Sequence, residues 1–249
     1  MKRLAKPTLL LTPTKTPGFS KLGGAPELPQ GIEWPVSDGR APAFLVQLDL
    51  AEVRAAGGPE WLPERGSLYA FNDDERYGFR DHVQVLFSPE DSARTLAAPP
   101  SGLAAKHRFG ERRIGFLRLN SIPSLDWLNV DLGEVDVSDD ELDELADAPD
   151  APFGDELQHR IGGYPSEIQD GQMALCCERL ARGIDPDAAE EPTPAIDRAS
   201  KQWRLLLQID SDPALKMDFG NGGRLFVFIK ERHAQAANFS KTVSLWQTR

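Results

Sequence analysis

Two aspartates, Asp49 and Asp210, hold matching positions in the sequence, and their carboxylates are the first groups that could do chemistry. Each lies at the end of a predicted β-strand, two residues after a glutamine, Gln47 or Gln208. If the fold brings the two carboxylates together, they could act as general acid and base or bind a ligand between them. Aspartate at the end of a strand also hydrogen-bonds its own backbone and caps the turn that follows. The sequence leaves both interpretations open.

Two glycine-rich loops are the next candidates for a ligand site. Gly23-Gly24 and Gly162-Gly163 are each followed by proline two residues later, and His159 and Tyr164 flank the second pair. Gly163, Tyr164 and His159 therefore join Asp49 and Asp210 as candidate ligand-binding residues. Neither loop has the G-x-G-x-x-G spacing or the following Lys-Ser or Lys-Thr of a phosphate-binding loop, so we expect turns there.

The other residues that could bind a metal or attack a substrate form no recognisable motif. The two cysteines, Cys176 and Cys177, are adjacent, so they neither build a disulfide framework nor have zinc-site spacing. No Gly-x-Ser-x-Gly segment occurs. The histidines are scattered along the chain at His82, His107, His159 and His233. We therefore predict no metal site, no cofactor and no catalytic residue.

The acidity of the chain is concentrated in one segment. The formal net charge is −11. Residues 126–156 contain 13 carboxylates, and no Lys or Arg occurs between Arg118 and Arg160. Such a segment repels nucleic acid and anionic membranes and attracts a basic protein. The residues we expect to contact such a partner are Asp139, Asp140, Glu141, Asp143 and Glu144. The alternative is a solvated insertion that keeps the chain soluble.

The N-terminal region does not predict export or membrane insertion. The apolar run at 9–11 is too short for a signal-peptide core. No stretch approaches the roughly 20 apolar residues that span a bilayer. We expect a cytoplasmic protein, and the sequence does not indicate its oligomeric state.

The chain contains a repeated set of three blocks, in the same order but with loops of different length. Residues 22–26, 44–49 and 65–71 recur as 161–165, 205–210 and 222–228. We therefore predict a single domain over 1–249 with two pseudo-repeat halves, 18–120 and 158–249, joined by the acidic insertion 126–156.

Alternating apolar residues and frequent turn signals predict a mainly β fold (β-rich α+β), with internally duplicated antiparallel sheets and few short helices. The prolines among residues 1–17 predict an extended arm there. We expect strands at 44–50, 67–71, 83–87, 113–119, 203–209, 224–229 and 243–248. We expect helices at 138–146, 173–182 and about 195–202, with a helical turn at 51–56.

Residues 20–26, 44–49, 161–165, 206–212 and 222–226 resemble the signature blocks of the YwqG-like family, a bacterial domain of unknown function. The resemblance covers nearly the whole chain. It implies a mainly β fold with an internal duplication, and it supplies no activity, substrate or catalytic residue.

Two functions remain open. The separated charge and the missing catalytic motif favour a non-catalytic intracellular protein-binding module, such as an acidic inhibitor or immunity-type protein with a basic partner. The alternative is an enzyme or small-ligand binder whose site lies between the two halves.

Overall fold

A computed structural model describes residues 4–36, 39–73, 82–89, 93–124, 157–169 and 172–249, together with residues 127, 138, 140 and 143. The strands in these ranges are β1 (Lys6–Pro13), β2 (Lys21–Leu22), β3 (Glu27–Pro29), β4 (Ala43–Asp49), β5 (Ser67–Asn72), β6 (Val83–Ser88), β7 (Arg94–Leu96), β8 (Arg112–Ser121), β9 (Arg160–Gly162), β10 (Trp203–Asp210), β11 (Arg224–Lys230) and β12 (Val243–Gln247). The helices are α1 (Leu50–Ala55), α2 (Met173–Ala181), α3 (Pro194–Ser200) and α4 (Glu231–Gln235).

Ten of these strands form one antiparallel sheet in the order β12-β11-β10-β9-β1-β8-β2-β4-β5-β6. The sheet is nearly closed, because its two edge strands approach each other: the Val83 N–H of β6 donates to Ser244 Oγ of β12 at 2.9 Å. The short strands β3 and β7 pair separately. With 35% strand and 19% helix, the predicted mainly β class is confirmed.

The first strand corrects one prediction. Residues 1–17 were expected to be an extended arm, yet β1 lies between β8 and β9 and pairs with β8 from Lys6 to Pro13. The prolines are tolerated because Pro7 and Pro13 lie near the strand ends, which leaves residues 8–12 free to form the ladder. Within that interior Leu9 and Leu11 are both buried.

The main core lies on the inner face of the sheet. One cluster of buried side chains includes Val46 of β4 and Leu207 of β10, although four strands separate them in the sheet. The cluster also contains residues of the strands between them, such as Leu9 and Ile114, so the core is continuous along the inner face. Two smaller clusters cover the outer face, one beneath α2 and one beneath the loop that carries Trp34.

The ten-stranded sheet can be divided at its centre into two sets of five strands with equivalent arrangements. One edge gives β6-β5-β4-β2-β8, and the other gives β12-β11-β10-β9-β1. Each set has a register shift at a corresponding place, between Phe44 and Val46 in β4 and between Leu205 and Leu207 in β10. The strand β1 thus has the position in its set that β8 has in the other.

Candidate functional site

Asp49 caps a helix. Its Oδ1 accepts the backbone N–H groups of Ala51 at 2.7 Å and Glu52 at 3.3 Å, at the start of α1. An aspartate at this position satisfies N–H groups that the helix itself leaves unpaired. The local role that the sequence offered as an alternative is therefore present.

Asp210 is buried and fully engaged. Its carboxylate accepts the Gln158 N–H at 3.0 Å and the Gln208 side-chain amide at 3.0 Å, and it lies 3.3 Å from Arg224 Nε. Four strands separate β10 from β4 along the sheet, and among the contacts of the described residues no hydrogen bond or ion pair joins Asp210 to Asp49.

His159 takes part in a buried ionic network that the sequence did not indicate. Its Nδ1 accepts the Asp210 N–H at 3.1 Å, so the ring proton lies on Nε2, which donates to Asp212 at 3.4 Å. Arg112 of β8 also binds the Asp212 carboxylate. Hydrogen bonding from His159, then from Arg112, lowers the pKa of Asp212 from 3.8 to about 2 against the opposing effect of burial. Because both ring nitrogens are hydrogen-bonded within the protein, His159 has a structural role.

Gly163 and Tyr164 pack the second glycine loop against β1 and β8. At Gly163 φ is +73°, and a Cβ would overlap Ser121 Oγ and approach the Cβ of Thr8 to 2.7 Å. The Tyr164 hydroxyl donates to the Leu4 carbonyl at 3.0 Å. Only glycine fits at position 163 without strain or displacement of its neighbours.

Buried glutamines hold both glycine loops in the same way. Gln47 Oε1 accepts the Glu27 N–H and its Nε2 donates to the Phe19 carbonyl, both at 2.8 Å. Gln208 Oε1 accepts the Ser166 N–H at 2.9 Å, and its Nε2 donates to the Gln158 carbonyl at 3.3 Å. The glutamine in each repeated block is therefore a structural clamp on the loop.

Most of the candidate partner-binding residues lie outside the described part of the chain. Asp139, Glu141 and Glu144, and most of the predicted helix 138–146, are outside the described residues. Asp140 and Asp143 are described, have helical backbone and are exposed. These two carboxylates are available to solvent.

A different place in the fold has the geometry of a ligand site. Three adjoining clefts of about 460, 140 and 70 Å³ share one lining residue, Asn72, and together we call them the Asn72 cleft. Asn72 is the last residue of β5, where it pairs with Ala43 of β4 and Val83 of β6. The cleft therefore opens at one end of the sheet, beside the gap between the edge strands.

Asn72 is buried, with 4% of its surface exposed, and its side-chain oxygen accepts no hydrogen bond from the described residues. A buried polar atom left in this way costs about 1–3 kcal/mol, so such atoms are uncommon in folded proteins. A ligand that donates a hydrogen bond to this oxygen, once a rotation of the Asn72 side chain turns it toward the cleft, would remove that cost.

The two sets of strands both contribute to the cleft. The largest part is lined by Lys106, His107 and Phe109 from the first set, and by Lys216, Asp218 and Phe219 from the second. Phe109 and Phe219 are buried in the main core, and their rings meet edge-to-face at 6.3 Å. The floor is therefore apolar, while the rim is charged.

His82 borders the 140 Å³ part of the cleft. Its Nδ1 lies 2.9 Å from the Asp73 carbonyl oxygen, which only accepts, so Nδ1 carries a proton. The ring stands edge-on to Trp246 at 6.0 Å. His107 lines the other two parts. The sequence showed these two histidines as scattered, and sheet closure brings both to the Asn72 cleft.

The sequence reasoning missed the Asn72 cleft because its residues share no motif. They come from segments around residues 72, 106 and 218 that lie far apart in the chain. The one local signal is the polar pair Asn72-Asp73 directly after the predicted strand 67–71, and such a pair is more typical of a turn than of a ligand site.

Within the described ranges, no group of three or more His, Cys, Asp or Glu side chains is arranged to hold a metal ion. A helix with the length and apolarity to cross a membrane is likewise missing from the residues that the structure describes.

Comparison with known proteins gives a family and no activity. No curated protein matches the sequence. The model of one protein family, described as a domain of unknown function (DUF1963), matches residues 20–248. Because this match extends over nearly the whole sequence, the chain belongs to the DUF1963 family.

Proposed function

We propose that this protein is a non-catalytic binding protein whose small ligand occupies the Asn72 cleft. The observation that carries the proposal is the side-chain oxygen of Asn72, buried without a hydrogen-bond partner among the described residues where three clefts meet. An apolar floor with a few polar groups at its rim is typical of small-molecule sites, and about 460 Å³ lies within their usual range of roughly 300–1,000 Å³.

The proposal keeps the predicted location of the site, between two halves, but assigns it to other residues. We also propose that the halves arose by duplication. The matching strand order, the corresponding register shifts and the common hydrogen bonds of Gln47 and Gln208 support this origin. Assignment to the YwqG-like family, which is finer than the family match, stays a prediction.

Binding is favoured over catalysis by the state of the carboxylate–histidine pair. His159 Nε2 donates to Asp212, and His159 Nδ1 accepts the backbone N–H of Asp210. The imidazole ring is therefore not positioned to take a proton from a substrate. Asp49 and Asp210 are engaged in capping and in buried hydrogen bonds.

The test compares two asparagine variants. Asn72→Leu removes the buried amide, whereas Asn120→Leu makes the same change at an exposed position of β8. Each protein is incubated with a small-molecule extract of cells, desalted, and measured by native mass spectrometry. We expect a bound mass with the wild type and Asn120→Leu, reduced at least tenfold in Asn72→Leu. A bound mass that survives Asn72→Leu, or no bound mass in any form, contradicts the proposal.

The second candidate is the acidic protein-binding module. It is favoured by the 13 carboxylates in residues 126–156 and by the exposure of Asp140 and Asp143. A variant with Asn or Gln in place of Asp139, Asp140, Glu141, Asp143 and Glu144 is compared with the wild type in pull-downs at low and high salt. We expect a stoichiometric basic partner that is lost with the charges and with salt. A partner that resists both changes contradicts this candidate.

The proposal includes a cytoplasmic location and no nucleic-acid partner. Both are expectations from the sequence, and the absence of a disulfide at Cys176 and Cys177 is compatible with a reducing compartment. Fractionation of cells that express the protein tests the location.

A further inference from the structure

Among the described residues, the rim of the Asn72 cleft carries more positive than negative charge, in contrast to the chain as a whole. Of the described residues that line its largest part, Lys106 and Lys216 are positive and Asp218 is negative. The whole chain has 28 Lys and Arg against 39 Asp and Glu. A local reversal of charge in a concave site raises the concentration of anions there.

Asp218 does not neutralise Lys216. Its Oδ1 accepts the Gly220 N–H at 2.9 Å, so the carboxylate is held by its own loop. Lys216 forms no ion pair with the residues that the structure describes. Its ammonium group is therefore available to an anionic ligand at the rim.

The backbone at Lys216 holds this side chain in an unusual way. Lys216 has φ of +57°, a conformation that non-glycine residues seldom adopt, and its N–H donates to the Pro213 carbonyl at 3.1 Å. Such strain costs roughly 1 kcal/mol or more and is concentrated at functional sites. Here the conformation ends the helical turn at 213–215, and the assignment of the ligand site depends on Asn72 and the charges of the rim.

The cleft thus offers three kinds of contact to one molecule. Phe109 and Phe219 offer an apolar floor, Asn72 offers a buried acceptor, and Lys216 with Lys106 offers positive charge. We propose that the ligand is a small organic anion, with a carboxylate or phosphate, an apolar body and an N–H or O–H donor that reaches Asn72. This inference rests on the proposed function and names its ligand class.

The test uses carboxylic acids of about 8–15 non-hydrogen atoms, each with an apolar body and a hydroxyl or amide donor, and each paired with its own primary amide. The primary amide keeps the body and the donor, loses the negative charge, and carries an NH2 group in place of one carboxylate oxygen. Dissociation constants are measured by calorimetry on the full chain at two salt concentrations. We expect acids to bind at least tenfold more tightly than their amides, with an affinity that falls as salt rises.

Two lysine variants locate the charge. Lys216→Gln removes it from the rim, and Lys15→Gln removes an exposed lysine outside the cleft. We expect acid binding to weaken about tenfold in Lys216→Gln and to stay unchanged in Lys15→Gln, while binding of the amides changes in neither. A thermal unfolding curve of each variant verifies that the fold is retained.

The outcomes separate this inference from the proposed function. If the amides bind as tightly as the acids and Asn72→Leu abolishes both, the ligand class is wrong and the binding site stands. If no compound binds, or if binding is unaffected by Asn72→Leu, the inference is wrong. The extract experiment on the Asn72 variants then decides the proposed function by itself.

Discussion

Arg112 and Asp212 form an ion pair between two strands that are not neighbours. Arg112 belongs to β8, Asp212 follows β10, and β1 and β9 lie between those strands in the sheet. Asp212 also accepts from His159 and, through Oδ1, from the Ala214 N–H at 2.9 Å. One buried carboxylate thus connects the two sets of strands.

The ion pair predicts a loss of stability in acid. The pKa of Asp212 is lowered from 3.8 to about 2, so its contribution is present above pH 3.8 and is lost as the pH falls toward 2. The pH-dependent part is about 2 kcal/mol. We expect the difference in free energy of unfolding between wild type and Asp212→Asn to shrink by this amount from pH 6 to pH 2, measured by urea unfolding.

Asp197→Asn is the control for this experiment. Asp197 forms an exposed pair with Lys201 at 3.3 Å, so its replacement should have little effect at either pH. An Asp212→Asn difference that stays constant over this pH range would contradict the assigned role.

The two glutamine clamps predict matched losses of stability. Gln47→Leu removes the acceptor of the Glu27 N–H and one donor of the Phe19 carbonyl, which keeps its bond from Arg113 Nη1 at 3.3 Å. Gln208→Leu removes the acceptor of the Ser166 N–H and one donor of the Gln158 carbonyl, which keeps its bond from Arg160 Nε at 3.4 Å. We expect each variant to lose about 2–4 kcal/mol in urea unfolding. Because four strands separate the sites, the double variant should lose the sum.

Gln84→Leu provides the comparison for the clamps. Gln84 is exposed on β6, so the same replacement there should change stability by less than about 0.5 kcal/mol. Equal effects at Gln84 and Gln47 would mean that the hydrogen bonds to the loop are unimportant.

Alanine substitutions at two glycines can distinguish the cost of backbone strain from the cost of steric overlap. Gly163 and Gly183 have φ of +73° and +70°, but only at Gly163 would an added Cβ meet other atoms, whereas at Gly183 none lies within 4 Å. We expect Gly183→Ala to cost about 1 kcal/mol and Gly163→Ala about 3 kcal/mol or more, measured by thermal and urea unfolding. Similar costs would show that the second loop moves away from β1 easily.

Closure of the sheet can be tested at one amide. Ser244→Ala removes the acceptor of the Val83 N–H, so hydrogen exchange at that amide should accelerate about tenfold or more. Ser240→Ala removes an exposed hydroxyl that bonds Asn238 and should leave the Val83 amide unchanged. Unchanged exchange in Ser244→Ala would mean that the edge strands are held together by other contacts.

The sequence predicts the strands better than it predicts the cleft. Alternation and turn residues are local signals, and they identified β4, β5, β6, β8, β10, β11 and β12 to within a few residues. The position of β1 was missed because the prolines near its ends are also local signals, whereas its place between β8 and β9 depends on distant partners. The sequence also offered the capping role of Asp49, because a cap depends only on the residues that directly follow it.

The Asn72 cleft depends on sheet closure, which no local pattern encodes. Asn72, Lys106 and Lys216 become neighbours of one cleft only after the sheet has curved and its edges have met. Nothing in the types or spacing of these residues distinguishes them from surface residues. His159 and Asp212 were similarly separated by 53 residues of sequence.

The place of β1 also determines when this fold can be completed during translation. Pro13 pairs with Ile114, and Leu9 with both Arg118 and Ile161, so more than 100 residues must follow β1 before its neighbours exist. Until then its leucines remain exposed in the nascent chain and can be bound by chaperones that recognise short apolar segments. Assembly of the sheet is therefore delayed until the ribosome has synthesised both flanking strands.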